Sequence, residues 1–196
     1  MSIQTLEKYL PDNCRNHLKN WFSDHSVHIK ITRDRSSKLG DYRKNRDASH
    51  EITINSTLEP ELFFFVLTHE LAHLIAFEKF GRRIAPHGNE WKHTFRLMLL
   101  ESIEVYDEKF KPILIHFSRS PKANFMASPE LVKYFRFEKN QEDGVFVESL
   151  NKGEKFIYRN QKYVLEGLIK KNYLCMNLDT GRKYSFRPLA RVQNCS

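Results

Sequence analysis

The sequence predicts an α+β protein, because helical patterns and strand-like patterns both occur in its first half and short strands occupy its last third. Apolar residues recur at helical spacing over about 3–22, 58–80 and 89–104. A strand is expected over 27–32 and a short hairpin over 39–55, where β-branched residues alternate with polar ones. We therefore expect helices packed against a small antiparallel sheet.

The N-terminal helix is expected to be interrupted around Pro11-Asp12-Asn13, which favours a turn. The strand at 27–32 has the sequence VHIKIT, and the strand at the end of the hairpin, over 50–55, has the sequence HEITIN. Both have the composition of half-buried strands, with β-branched residues at alternate positions.

The helix at 58–80 has a start signal and a stop signal in the sequence. Ser56 is followed three residues later by Glu59, which is the pattern of a capping box, and Pro60 suits a first helical turn. Gly81 follows the last apolar position and suits a C-terminal cap. A second helix is expected over 89–104, where Trp91 is among the residues of an apolar stripe.

Within the first of these helices lies the motif H-E-x-x-H, formed by His69, Glu70 and His73. An α-helix returns to the same face every 3.6 residues, so the two imidazoles project together and can bind one ion. Glu70 would lie beside a water molecule at that ion. Ordinary buried histidines are the alternative, but unpaired polar groups among so many apolar side chains would be costly. The motif therefore predicts a catalytic zinc site.

A catalytic zinc ion has three protein ligands, so a third donor is required elsewhere in the chain. A metzincin pattern would place a glycine at 76 and a histidine at 79, where this chain has Ala76 and Lys79. We prefer His87, which stands in a loop with proline and glycine just before the second helix. A thermolysin-like arrangement would instead use Glu90 or Glu101, and these two residues remain alternatives.

These residues resemble the SprT-like zinc metalloproteases, the family that also contains the Spartan-type DNA-dependent proteases. The resemblance is carried by His69-Glu70-Leu71-Ala72-His73, by His87-Gly88 with Trp91-Lys92 after it, and by the segment from Lys38 to Leu58. It implies a zincin-like metalloprotease domain over 1–115. It also implies that His69, His73 and His87 bind Zn²⁺ and that Glu70 is the catalytic acid and base.

The remainder of the chain is expected to comprise a connector over 116–131 and a small all-β domain over 132–196. Strand-like runs occur at 145–147, 155–158 and 162–165, and a hairpin at 173–186 would turn at Asp179-Thr180-Gly181, which suggests a small barrel-like fold. Many family members end in a cysteine-rich zinc ribbon. This chain has three cysteines and no C-x-x-C pair, so no zinc ribbon is expected.

Positive charge is concentrated in the C-terminal region. The formal net charge is +8, and residues 152–191 hold ten Lys or Arg against three acidic residues. Six aromatic residues are interleaved with these cations: Phe156, Tyr158, Tyr163, Tyr173, Tyr184 and Phe186. Single-stranded nucleic-acid binders combine phosphate attraction with base stacking in this way, although such aromatics also fill barrel cores. We expect binding of single-stranded or damaged DNA here.

The composition predicts a soluble cytoplasmic protein. The chain has 196 residues with 40% apolar content, which is enough for a packed core. Its N-terminus lacks the apolar run of a signal peptide, and no segment was expected to approach the ~18 apolar residues of a membrane span. Three cysteines without a pairing pattern suit a reducing compartment.

The predicted function is that of a zinc-dependent endopeptidase, a metal-binding hydrolase that acts on protein or peptide substrates, including DNA-associated proteins. Tyr42, Arg43 and His50 would stabilise the reaction's oxyanion if the hairpin faces the cleft. Two alternatives stay open. One is a nucleic-acid-binding or adaptor protein with a zinc site and little proteolysis, and the other is a narrow processing peptidase that acts independently of DNA.

Overall fold

The computed structural model describes residues 6–23, 25–35, 38–124, 127–135 and 144–195. The chain divides into two compact units, Met1–Tyr134 and Phe135–Ser196. The first unit contains five α-helices and three strands in its described residues: α1 (Arg15–Phe22), α2 (Pro60–Phe80), α3 (Asn89–Glu101), α4 (Lys111–Ser118), α5 (Pro129–Lys133), β1 (Val27–Thr32), β2 (Gly40–Lys44) and β3 (His50–Asn55). An α+β fold is therefore confirmed.

The N-terminal helical region is broken where the sequence predicts. Short 3₁₀ segments, Glu7–Tyr9 and Asp12–Cys14, precede α1, and Pro11 separates them in an extended conformation. The predicted start near residue 3 lies outside the described residues. The second long helix ends at Glu101 rather than at 104, because a 3₁₀ segment over Ile103–Val105 follows it.

Helix α2 begins at Pro60, and its N-cap is Glu59 rather than the predicted Ser56. The Glu59 carboxylate accepts a hydrogen bond from the backbone N–H of Leu62 at 3.0 Å, which satisfies one of the free donors of the first turn. Ser56 instead donates its backbone N–H to the carbonyl of Thr32 at 2.9 Å, at the end of the sheet. Gly81 closes the helix at φ 82°, as predicted.

Helix α2 is the central core element of the first unit, because its apolar residues occur on all of its sides. Phe63, Phe64, Leu67, Leu71 and Leu74 are fully buried. By length and composition the helix is also long and apolar enough to cross a membrane, which differs from the sequence expectation. However, 67% of its most apolar window is buried inside the protein, as is typical of a core helix.

The sheet of the first unit has the order β1-β3-β2 and is mixed, so the prediction of an antiparallel sheet is wrong. Strands β2 and β3 form an antiparallel hairpin, whereas β1 runs parallel to β3. The loop after β1 crosses the end of β3, where the Asn55 amide donates to the Asp34 carboxylate at 3.1 Å and to the Arg35 and Lys38 carbonyls at 3.2 Å. Asn55 thereby stabilises the crossing that parallel pairing requires.

The second unit is an antiparallel sheet of six strands in the order β4-β9-β5-β6-β7-β8. The strands are β4 (Val145–Phe146), β5 (Lys155–Tyr158), β6 (Gln161–Ile169), β7 (Asn172–Asn177), β8 (Lys183–Phe186) and β9 (Arg191–Asn194). Strands β4, β5 and β6 match predicted runs within a few residues, and β7 and β8 form the predicted hairpin. Strand β9 was not predicted. In the described residues the pairing ends at β4 and β8, and closure into a barrel stays a prediction.

The unit boundary falls between Tyr134 and Phe135, three residues after the predicted start of the C-terminal domain. The segment 116–131, expected to be a connector, includes the end of α4 and the start of α5 and belongs to the first unit. Phe117 and Leu131 are buried, so this segment contributes to the core.

Candidate metal centre

Three histidines converge beside helix α2. His69 and His73 lie one turn apart on that helix, and His87 comes from the loop that precedes α3. One ring nitrogen of each lies within 4.8 Å of the others, and the Nε2 atoms of His73 and His87 are 3.1 Å apart. In the described part of the chain this is the one group of three or more His, Cys, Asp or Glu with such spacing.

The spacing of these nitrogens fits a zinc ion. Zinc binds imidazole nitrogen at about 2.1 Å in tetrahedral geometry, which separates two ligand atoms by about 3.4 Å. The distance of 3.1 Å between His73 and His87 is close to this value. The three donors are all imidazoles, which suit Zn²⁺ among the common metals. His87 is exposed, which leaves one side of the centre open to solvent.

The electrostatic environment keeps the imidazoles in their neutral, metal-binding form. Burial, together with the neighbouring histidines, lowers the pKa of His69 to about 3. Burial and His87 lower the pKa of His73 to about 4, although Asp41 and a hydrogen bond with the Pro86 backbone oppose the shift. Burial also lowers the pKa of His87. All three rings therefore offer a lone pair at neutral pH.

Trp91, on the first turn of α3, packs against all three histidines. Its ring centroid lies 4.7 Å from those of His69 and His87 and 5.2 Å from that of His73. The indole N–H also donates to the backbone carbonyl of His69 at 3.4 Å. The sequence predicted Trp91 as part of an apolar stripe, whereas its role as a shared support for the triad depends on how α3 packs on α2.

Glu70 follows His69 on α2 and is buried, with 7% of its surface exposed. Burial and the charge of Asp41 raise its pKa to about 8, against the opposing effects of Lys38, Arg35 and the Tyr42 backbone. Strand β2 passes close to it, since a Cβ atom added at Gly40 would lie 2.7 Å from a carboxylate oxygen of Glu70. This close approach explains a glycine at position 40, which sequence reasoning did not single out.

The alternative third ligands lie elsewhere. Glu101 accepts a hydrogen bond from the Trp21 indole at 3.3 Å, at the far end of α3. Glu90 is the second residue of α3 and does not belong to the histidine group. His93 is exposed on the same helix.

Of the proposed oxyanion donors, two interact with each other and one is engaged in an ion pair. The Tyr42 hydroxyl lies 3.0 Å from Nδ1 of His50. Arg43 pairs with Glu51 on the neighbouring strand. None of the three is thus directed with a free donor at the histidines.

In the second unit, the cations are solvent-facing but the aromatics are divided. Nine of the ten Lys and Arg of 152–191 are exposed, and Arg191 is half-buried. Phe156, Tyr163 and Phe186 lie in the hydrophobic core. Tyr184 is 41% exposed, and Tyr158 and Tyr173 are half-buried. About half of the aromatic set is therefore accessible for stacking.

The fold and the centre together define an α+β protein with a candidate metal-binding histidine triad, formed by two histidines of a core helix and one of the following loop. The model of the SprT-like family matches residues 8–106, about half of the chain. The chain therefore belongs to the SprT-like family.

Curated relatives share a shorter segment. Protein SprT of Enterobacter sp. (strain 638) is 46% identical over 55 residues, which cover 26% of this chain and 33% of that protein. Protein SprT of Vibrio atlanticus (strain LGP32) is 52% identical over 49 residues, covering 23% of this chain and 29% of that protein. The chain thus spans about a third of the length of these relatives. No solved structure matches it.

Proposed function

We propose that the chain is a zinc-dependent endopeptidase of the SprT-like type. The convergence of three neutral imidazoles next to a buried glutamate is the observation that carries the proposal. Membership of the SprT-like family supports it. When bound, Zn²⁺ would supply Lewis-acid chemistry, since it lowers the pKa of water towards about 7 and polarises a peptide carbonyl.

The histidines, Glu70 and strand β2 would each have a separate role in this reaction. His69, His73 and His87 would hold the ion through neutral nitrogens. The Glu70 carboxyl, whose ionised form a bound Zn²⁺ would favour, would accept a proton from the attacking water and deliver it to the leaving amine. Strand β2 restricts where this carboxylate can lie, because Gly40 leaves no free space beside it. The exposed position of His87 leaves a route for a polypeptide substrate.

The test of this function is a protease assay on an unfolded protein, with and without single-stranded DNA. We expect Glu70→Gln to retain one zinc per chain and to lose activity by at least about 100-fold, because proton transfer at the carboxylate is removed. Glu104→Gln, which changes an exposed glutamate of the same unit, is the matched control and should retain activity. Full proteolysis by Glu70→Gln would exclude the acid and base role.

We further propose that DNA-associated proteins are among the substrates, with the basic second unit binding single-stranded or damaged DNA. The exposed cations of 152–191 and the accessible Tyr184 support this. Faster cleavage in the presence of DNA is the expected result. An unchanged rate would favour the narrow processing peptidase.

The nucleic-acid-binding or adaptor alternative rests on the same charge distribution. It would be favoured by tight, strongly salt-dependent DNA binding without cleavage of any protein substrate.

A cytoplasmic location is part of the proposal. The three cysteines, Cys14, Cys175 and Cys195, are all free thiols, which suits a reducing compartment.

A further inference from the structure

We propose that Tyr42 is a positioning residue that orients the His73 imidazole for metal binding, an inference that rests on the proposed metal centre. Tyr42 lies on β2, and its ring is nearly parallel to that of His73, with an interplanar angle of 3° and centroids 6.0 Å apart. Trp91 contacts the same imidazole at 5.2 Å and 26°. Two aromatic rings from separate elements thus limit the orientations open to His73.

The Tyr42 ring is itself held by a chain of polar contacts. Its hydroxyl lies 3.0 Å from Nδ1 of His50, whose Nε2 lies 3.3 Å from the Glu78 carboxylate. The same carboxylate oxygen accepts a hydrogen bond from Lys44 at 2.8 Å. These contacts therefore extend from the ion pair of Lys44 and Glu78 at the surface to the Tyr42 ring, which packs against the candidate ligand His73.

The hydrogen bonds of Tyr42 and His50 are compatible with one protonation state of each residue. The Tyr42 hydroxyl can donate its proton to Nδ1 of His50, 3.0 Å away. Burial lowers the pKa of His50, so this ring is neutral and carries its one proton on Nε2, facing Glu78. Each donor then meets an acceptor, and a single tautomer of His50 satisfies both contacts.

The strand register brings these residues together. Tyr42 and Lys44 are two residues apart on β2 and share one face of the sheet. His50 is the direct partner of Lys44 across the antiparallel pair. Glu78 follows His73 on α2 by five residues, so the two ends of the chain of contacts lie on the helix that carries the ligand. Hydrogen-bonded outer partners of metal-bound histidines typically contribute about 10–100-fold to metal affinity, and a stacked ring such as that of Tyr42 contributes less.

The experiment measures the zinc dissociation constant of the full chain by competition with a chromophoric chelator, together with the visible absorption of the Co²⁺ form. Tyr42→Leu removes the ring, and Tyr42→Phe removes only the hydroxyl. Glu78→Gln weakens the contacts of residue 78 with His50 and Lys44. Tyr9→Leu is the matched control. Tyr9 stacks on Phe63 of the same helix, with centroids 5.3 Å apart, and takes no part in the series of polar contacts from Tyr42 to Lys44.

We expect Tyr42→Leu to raise the dissociation constant by about 3–10-fold and to alter the Co²⁺ spectrum. Tyr42→Phe and Glu78→Gln should raise it less, and Tyr9→Leu should leave it within about twofold. A purely structural role would lower thermal stability without changing the Co²⁺ spectrum. If Tyr42→Leu does not fold, Tyr42→Phe and Glu78→Gln decide the question, because neither change removes a buried ring.

The results separate this inference from the proposed function. A wild-type chain that binds no zinc would overturn the metal centre itself. A wild-type chain that binds one zinc, with affinities and spectra unchanged in Tyr42→Phe and Glu78→Gln and in any folded Tyr42→Leu, would exclude a positioning role for Tyr42 while leaving the metal centre intact.

Discussion

His87 differs from the other two histidines of the candidate centre in its exposure and in its origin. His69 and His73 are part of a core helix, whereas His87 is exposed in the loop before α3. The backbone contact between this loop and His73, through Pro86, is one link between the two parts of the centre. Because little of the core depends on His87, its replacement tests metal binding without unfolding the chain.

We expect His87→Ala to lower zinc affinity by more than about 100-fold while the fold is retained, because one of three ligands is lost. His93→Ala, which removes an exposed histidine from the same region, should leave zinc affinity unchanged. Elemental analysis and chelator competition measure both variants. Stoichiometric zinc in His87→Ala, combined with its loss in Glu90→Gln, would identify Glu90 as the third ligand.

A second prediction at this scale concerns pH. Glu51 is buried on β3 and pairs with both Lys30 and Arg43, which hold the pKa of its carboxyl below the usual value. A lowered pKa in the folded state stabilises the protein above the unfolded value, near 4.5, and this stabilisation is lost as pH falls. The free energy of unfolding should therefore decline below about pH 4.5.

Glu51→Gln should lower the free energy of unfolding by about 1 kcal/mol at neutral pH, a small amount because Lys30 and Arg43 are exposed and can be solvated. The free energy of unfolding of this variant should also decline less on acidification. Glu108→Gln, at an exposed ion pair, is the control and should retain the wild-type pH dependence. Urea denaturation between pH 3 and pH 7 makes the comparison. Parallel pH curves for Glu51→Gln and wild type would contradict the expectation.

At the scale of secondary-structure elements, strand β2 lies against helix α2 at the level of Glu70. An added Cβ atom at Gly40 would lie 2.7 Å from both a carboxylate oxygen of Glu70 and Cγ1 of Val66. We expect Gly40→Ala to lower the free energy of unfolding by about 1–3 kcal/mol and to reduce peptidase activity, because the strand or Glu70 must move.

Gly81→Ala is a useful comparison for this variant. Gly81 has φ 82° and nothing within 4 Å of an added Cβ atom, so its replacement introduces backbone strain far from Glu70. It should lower stability while activity per folded molecule is retained. Calorimetry and a peptidase assay distinguish the two, and equal activity in both variants would show that β2 does not constrain Glu70.

The sequence predicts the local parts of these elements well and their contacts poorly. Pro60, Gly81 and the apolar spacing are sufficient to place α2, and the histidine spacing is sufficient to pair His69 with His73. The parallel pairing of β1 with β3 is not predictable, because the polar contacts of Asn55 join segments about twenty residues apart. For the same reason, the contact of Tyr42 with His73 becomes visible only once the sheet packs on the helix.

At the scale of the whole molecule, the candidate metal ligands and the main cluster of cations lie in different parts of the chain. The histidine triad belongs to the first unit, whereas residues 152–191 of the second unit hold ten Lys or Arg against three acidic residues. Lys162 and Arg182 are both exposed. We expect the double variant Lys162→Glu and Arg182→Glu to weaken binding of single-stranded DNA at least about 10-fold and to lower its salt dependence, because fewer counterions are released.

The same net change in the first unit is the control for this variant. Lys109→Glu with Arg119→Glu alters two exposed cations outside the second unit and should affect DNA binding little. Zinc content should be unchanged in both. Fluorescence anisotropy at several salt concentrations measures the effect, and equal losses in the two double variants would assign DNA binding to overall charge rather than to the second unit.

The position of Trp91 gives the candidate metal centre an optical reporter. The chain has two tryptophans, and Trp91 is the one in ring contact with the three histidines, whereas Trp21 stacks on Phe64 with centroids 5.9 Å apart. In a Trp21→Phe background, all indole emission would come from the wall of the centre. Metal loading and release could then be followed in real time without a label, by the intrinsic fluorescence of one side chain.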